Sequence, residues 1–193
     1  NGKLPTGWRI VRFDEIAQNV NDRVDPAETD LEVYVGLEHL DPESLKIRRW
    51  GTPDDVIGQK LGFKEGDIIL GKRRAYQRKL AVAECDGICS AHAIVLRAKP
   101  DVVVPEFLPF FMHSDLFMGR AVDISVGSLS PTINWTTLRR QMFPFPPKVE
   151  QIRFAELLTS VNDSIHANEE LINHLSVAHS RVVLEMAKRA EGV

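Results

Sequence analysis

Met142-Phe143-Pro144-Phe145-Pro146-Pro147 divides this chain into two regimes. Three prolines in six residues fit neither a helix interior nor a central strand, because each lacks an amide donor and fixes φ. Downstream, from Lys148 to Glu191, there is neither proline nor glycine. Phe154, Leu158, Val161, Ile165, Asn168, Ile172, Leu175, His179, Val182 and Met186 step by alternating four and three residues. That spacing is a heptad seam, and it predicts one long helix over 148–193, with about 50 Å of seam at 1.5 Å per residue. So narrow a stripe needs a partner helix to bury it. Asn168 and His179 interrupt the seam, as polar residues do when they fix register at a cost in stability.

Upstream, residues 1–147 carry short β-like runs separated by turn signals. Glu32-Val33-Tyr34-Val35 is one run, and Asp67-Ile68-Ile69-Leu70 follows the turn Lys64-Glu65-Gly66. Leu80-Ala81-Val82-Ala83 precedes Asp86-Gly87, and Ala93-Ile94-Val95-Leu96 ends before Lys99-Pro100. These lengths predict strands of a mixed or antiparallel sheet. Pro105 to Val122 reads as one helix with Phe107, Leu108, Phe111 and Leu116 on its apolar face. Pro131-Thr132-Ile133-Asn134-Trp135 resumes extended structure. The expected architecture is an α/β (α+β) domain over 1–147 and a coiled-coil helix over 148–193.

The 193 residues are 44% hydrophobic and 26% charged, the balance of a globular protein with a core of its own. Two cysteines, Cys85 and Cys89, are too few for a disulfide framework, so a reducing, cytoplasmic setting is expected. The apolar runs are far shorter than the roughly 20 residues of a membrane helix. The sequence begins without Met and without the apolar core of a signal peptide, and it reads as trimmed.

A net charge of −3 conceals a polarised distribution. Asp14 to Glu43 holds ten acids and one base, Arg23, whereas Gly71 to Lys99 holds seven bases and two acids. Local patches, not the mean, set a phosphate-binding field. The densest signal is Gly71-Lys72-Arg73-Arg74-Ala75-Tyr76-Gln77-Arg78-Lys79, five cations in nine residues with Tyr76 and Gln77 interleaved. Arginine and lysine neutralise phosphates and glutamine pairs with adenine, so this stretch is a candidate DNA contact. Arg48 and Arg49, within Lys46-Ile47-Arg48-Arg49-Trp50, form a second cluster. Ser128 and Ser130, within Val126 to Thr132, offer hydroxyls and a glycine suited to close phosphate approach.

Catalytic patterns are missing. There is no G-x-G-x-x-G, no G-x-x-x-x-G-K-[ST] and no G-x-S-x-G. Cys85, Cys89 and His92 do not reach the four ligands of a structural zinc site, and no metal or cofactor is expected. Asp14-Glu15 and Asp54-Asp55 read as caps or solvated faces.

Five stretches together carry a resemblance. They are Leu4-Pro5-Thr6-Gly7-Trp8 with Phe13-Asp14-Glu15-Ile16, Gly66 to Lys79, Asp86-Gly87-Ile88-Cys89-Ser90, Gly127 to Ile133, and Pro146-Pro147-Lys148-Val149-Glu150-Gln151-Ile152. In this order they resemble the specificity subunits of type I restriction–modification systems, with Arg74-Ala75-Tyr76 in place of the family's Arg-Pro-Tyr. The resemblance implies a target recognition domain and a helix that pairs with a second helix as an antiparallel coiled-coil spacer. It implies a non-catalytic protein that binds double-stranded DNA and directs methyltransferase (modification) subunits, with a restriction motor–nuclease subunit as a further partner. Full specificity subunits carry two recognition domains and two long helices. One of each here implies a half-subunit that homodimerises through the seam and reads an interrupted palindrome. The rival expectation is a protein-interaction adaptor that uses the same helix and the acidic 14–43 stretch.

Overall fold

A computed structural model describes residues 3–42 and 44–191; Asn1, Gly2, Glu43, Gly192 and Val193 lie outside them. In chain order the elements are β1 (Arg9–Arg12), α1 (Phe13–Ile16), β2 (Ala17–Val20), β3 (Arg23–Val24), β4 (Tyr34–Val35), β5 (Lys60–Phe63), β6 (Ile68–Gly71), β7 (Leu80–Val82), β8 (Gly87–Cys89) and β9 (Ala93–Ala98). There follow α2 (Phe107–His113), α3 (Asp115–Asp123), α4 (Trp135–Leu138), β10 (Met142–Phe145) and α5 (Lys148–Glu191). Two compact units result, residues 1–152 and residues 153–193.

In the first unit one four-stranded sheet runs β2-β9-β6-β7, antiparallel throughout. A second runs β3-β5-β8-β4, with β4 and β8 parallel. Strands β1 and β10 form a separate antiparallel ribbon. Ile69 sits opposite Ala81 on one side and Val95 on the other. These three join Leu61, Phe63, Val35 and Cys89 of the second sheet in one apolar cluster. The alternate residues Ile68, Leu70, Leu80 and Leu96 point the other way and are just as buried. A strand covered on both faces reads as an unbroken apolar run, which is why 68–70 shows no alternation. Full burial of each such side chain is worth about 1.5–3 kcal/mol. Gly66 makes the preceding turn possible with φ +83°, a region that side chains disfavour.

A second core is aromatic. The Phe111 ring meets Phe145 edge-on with centroids 5.1 Å apart, and Phe143 at 5.4 Å. Phe117 joins Phe13 at 5.2 Å. The helix expected over 105–122 is in fact two helices. Ser114 takes extended ψ (154°), and its hydroxyl accepts from Phe117 N and donates to Phe111 O, ending α2 and capping α3. The strand expected over 32–35 is reduced to Tyr34–Val35, and Trp135 opens a short helix instead of ending an extended run.

The start of α5 is locked into the first unit. Gln151, 2% exposed, accepts from Val104 N at 2.8 Å and donates to Pro146 O at 2.9 Å. Glu150 accepts from Trp8 Nε1 at 2.9 Å. Asp14 pairs with Arg12 (2.5 Å) and Arg139 (3.2 Å), and Asp55 accepts from Thr52 N as a cap. The acids at 14 and 55 therefore serve structure.

Candidate nucleic-acid interface

The cationic stretch is the connection between β6 and β7. Gly71 N donates to Lys79 O at 2.9 Å, closing its neck. Inside, Ala75–Gln77 makes one 3-10 turn flanked by Arg74 (φ 55°) and Arg78 (φ 53°), both left-handed. A non-glycine residue there costs on the order of 1 kcal/mol, and it persists only where surrounding contacts enforce it. The enforcing contacts are buried Ala75 and the bonds Arg74 N to Pro131 O (2.8 Å), Gln77 N to Arg74 O (2.8 Å) and Arg78 N to Ala75 O (2.9 Å). The outcome is a rigid loop that holds Arg73, Arg74 and Tyr76 in solvent.

A second loop is stitched to the first. Val126 and Thr132 exchange two backbone bonds (3.1 and 3.0 Å), closing a hairpin that turns at Gly127 with φ +118°. Thr132 also bridges to Arg73, and Ile133 N donates to Lys72 O at 2.8 Å. The fold thus joins two stretches that the sequence presents as separate candidates. Ser128 and Leu129 stand exposed at the hairpin tip, and Ser130 is half-buried below it.

Electrostatics around this pair of loops are one-sided. The Lys72 ammonium is pushed below its usual range by burial first, then by Arg23 and Arg73. His92, whose carbonyl accepts from Lys72 N, is lowered by burial first, then by Arg73, Lys72 and Lys60. Every charge acting on these two groups is positive. A phosphate would relieve that crowding, because an anion favours the charged form of each neighbour. Arg23 is the residue that sequence reading missed, since it is the single base of the acidic stretch. The antiparallel register of β3 and β5, Arg23 opposite Leu61 and Val24 opposite Lys60, carries it to the cationic side.

Other sequence candidates are engaged elsewhere. Arg78 pairs with Asp115 at 2.5 Å and donates to His113 O, fastening the loop to α2 and α3. Lys79 Nζ donates to Leu37 O at 2.6 Å. Arg49 pairs with Asp41 at 2.6 Å and donates to Glu38 O at 2.9 Å. Arg48 and Arg49 lie on the segment entering Gly51, which pairs with Tyr34 and not with the cationic loop. Gln77 is half-buried beside exposed Tyr76.

Among the described residues no group of three or more His, Cys, Asp or Glu is placed to hold a metal. Cys89 is buried, its thiol pushed up to about 12 mainly by desolvation, while Cys85 is exposed. In the second unit the helix presents its seam openly. Leu158, Val161, Ile165, Ile172, Leu175, Val182 and Met186 are between 37% and 66% exposed, and Asn168 and His179 are exposed with them. Among the described residues no helix is long and apolar enough to cross a membrane.

The family model for the type I restriction modification DNA specificity domain matches residues 5–176. This chain belongs to that family. Like its relatives, the specificity domain described here combines a mixed α/β unit with a long C-terminal helix. It is 27% identical over 194 residues to the type I restriction enzyme EcoDI specificity subunit of Escherichia coli, covering 98% of this chain and 43% of that one. It is 21% identical to the MjaVIII specificity subunit of Methanocaldococcus jannaschii, covering 94% and 46%. The solved HsdS subunit from Thermoanaerobacter tengcongensis superposes with a TM-score of 0.70 at 25% identity, over 88% of this chain and 46% of that one. A chain from a structure of type I R-M complex assembly and conformational transition gives 0.72 at 25% identity, over 89% and 46%. The specificity domain therefore spans about half the length of the relatives it matches.

Proposed function

We propose that this chain is a DNA-recognition subunit that directs the methyltransferase subunits, and the restriction motor subunit where one is present, to a two-part target. The observation that carries the reading is the union of the cationic 72–79 loop with the 126–132 hairpin on a doubly covered sheet. Exposed Arg73 and Arg74, with Lys72 and Arg23 beside them, take backbone phosphates. Tyr76, Gln77, Ser128 and Ser130 lie nearest the bases. Arg78 and Lys79 act indirectly, by fixing the cationic loop, and Arg49, held by Asp41 and Glu38 O, stands apart from it. Catalysis belongs to the partners.

Two copies pair through the α5 seam and place two identical readers on one duplex. A twofold pair reads an interrupted palindrome. Two chains together also approach the length of one relative, of which each covers 43% to 46%.

Selection from randomised duplexes, by the chain together with its methyltransferase subunits, tests this. Enrichment of two inverted half-sites at fixed spacing is the expected result. Enrichment of a single half-site removes the dimer from the reading, and no enrichment favours a protein-interaction adaptor instead.

A further inference from the structure

The hairpin beside the cationic loop carries a side chain that phosphate binding does not use. Resting on the DNA-recognition reading above, we propose that Leu129 is a specificity-determining residue, set in the major groove against the 5-methyl group of a thymine.

Leu129 is 92% exposed at the tip of the 126–132 hairpin, so it packs in neither core, and Val126 is 69% exposed at the hairpin's base. The limbs below the tip are fastened on both sides. Val126 and Thr132 exchange two backbone bonds across the base. Just before them, Ser125 N donates to Val122 O at 3.0 Å and Ser125 Oγ to Ala121 O at 2.8 Å, tying one limb to the end of α3. On the other limb Thr132 Oγ1 donates to Ser130 O at 3.1 Å, and Pro131 O accepts from Arg74 N. A side chain on a stalk held at both limbs gives up little freedom on entering a groove.

Length and width place the tip. Thr132 bridges to Arg73, so the base of the hairpin lies at the level of the phosphates that Arg73 takes. Leu129 is three residues beyond Val126, a reach of at most about 10 Å. The major groove is about 8.5 Å deep, so the tip meets the base edges when the hairpin's base rests at the backbone. Two limbs about 5 Å apart fill a minor groove of about 6 Å before any side chain is added. The major groove, about 12 Å wide, admits a two-stranded ribbon.

Chemistry names the ligand. Base edges in the major groove present donors and acceptors, and thymine alone of the four bases adds a methyl group. Leucine set against any other edge would strip water from polar groups and return no hydrogen bond. Ser128 and Ser130, on either side of Leu129, leave hydroxyls for the neighbouring polar edges.

Deoxyuridine, which lacks only that methyl group, tests the assignment. Duplexes enriched by the chain together with its methyltransferase subunits are resynthesised with each thymine in turn replaced by deoxyuridine. Binding is then compared for the wild type and Leu129→Ala. At one position of the half-site the replacement is expected to weaken the wild type roughly fourfold, the worth of one buried methyl group, and to leave Leu129→Ala unchanged. On duplexes of unrelated sequence the variant should bind as the wild type does, with the same salt slope, since no phosphate contact is lost. Equal losses in both proteins mean that another residue meets the methyl group, and they overturn the inference. A half-site with no thymine, or with none whose methyl group matters, overturns it too. So does a variant weakened on every sequence, which makes Leu129 a general contact. No enrichment of any sequence removes the DNA-recognition reading itself, a failure distinct from these.

Discussion

Replacing Arg73 and Arg74 together by alanine should change how DNA binding responds to salt, not only how tight it is. Both side chains are exposed on a loop whose backbone is held by neighbours, so their removal leaves the fold intact. Each phosphate contact on B-DNA contributes about −0.9 to the slope of log affinity against log salt, so two contacts account for about 1.8. A fourfold rise in salt, from about 50 to about 200 mM, therefore changes the ratio of wild-type to variant affinity by about 12-fold, the penalty being greatest at low salt. Fluorescence anisotropy on duplexes of unrelated sequence measures this in the assembled complex, and the loss should be uniform across sequences. Arg49→Ala is the control. Its guanidinium is engaged by Asp41 and Glu38 O, so its slope should match the wild type. A double variant with an unaltered slope would refute the placement of DNA on this loop, whatever its affinity.

The aromatic core predicts that Phe111→Ala costs about 3–5 kcal/mol, read as a lowered urea midpoint by circular dichroism, since its ring contacts with Phe107, Phe117, Phe143 and Phe145 vanish at once. Asp14 carries a carboxyl lowered by Arg12 first, with a further contribution from Arg139, so its stabilisation is present at neutral pH and lost as pH falls below 3.8. Asp14→Asn should thus cost at most about 1 kcal/mol at pH 7 and less as the pH is taken below 3.8, by denaturation across that range. His92 should titrate by NMR below an ordinary histidine, and a bound phosphate backbone should raise it; a fall on DNA binding contradicts the cationic cluster.

Much of the fold was legible because the deciding signals are local. The Ile68-Ile69-Leu70 run announces a strand covered on both faces, and the Gly- and Pro-free stretch after Pro147 announces the long helix. The break at Ser114 escaped detection because Leu116 continues the helical spacing, while the cap that overrides it is a single hydroxyl. The candidate interface was half legible. Charge density marked 72–79, but not which cations point outward. Arg78 and Lys79 find Asp115 and Leu37 some forty residues away, and no sequence window contains both ends of such a bond. The joining of Arg73 to Thr132 is hidden by the same separation. Arg23 was hidden by its neighbours, since strand register rather than composition carries it among other cations.

In the proposed pair of copies, an uninterrupted α5 would also act as a length standard. Antiparallel helices in heptad register can slide only in steps of one heptad, and each step changes the distance between the two copies of Arg153 by about 10 Å, about three base pairs. Intermediate spacings are forbidden by the seam. In that proposed pair, gap length and half-site sequence would be set by separate parts of the chain. Inserting one heptad ahead of Val161 would lengthen the gap by about six base pairs and leave the letters read on either side unchanged.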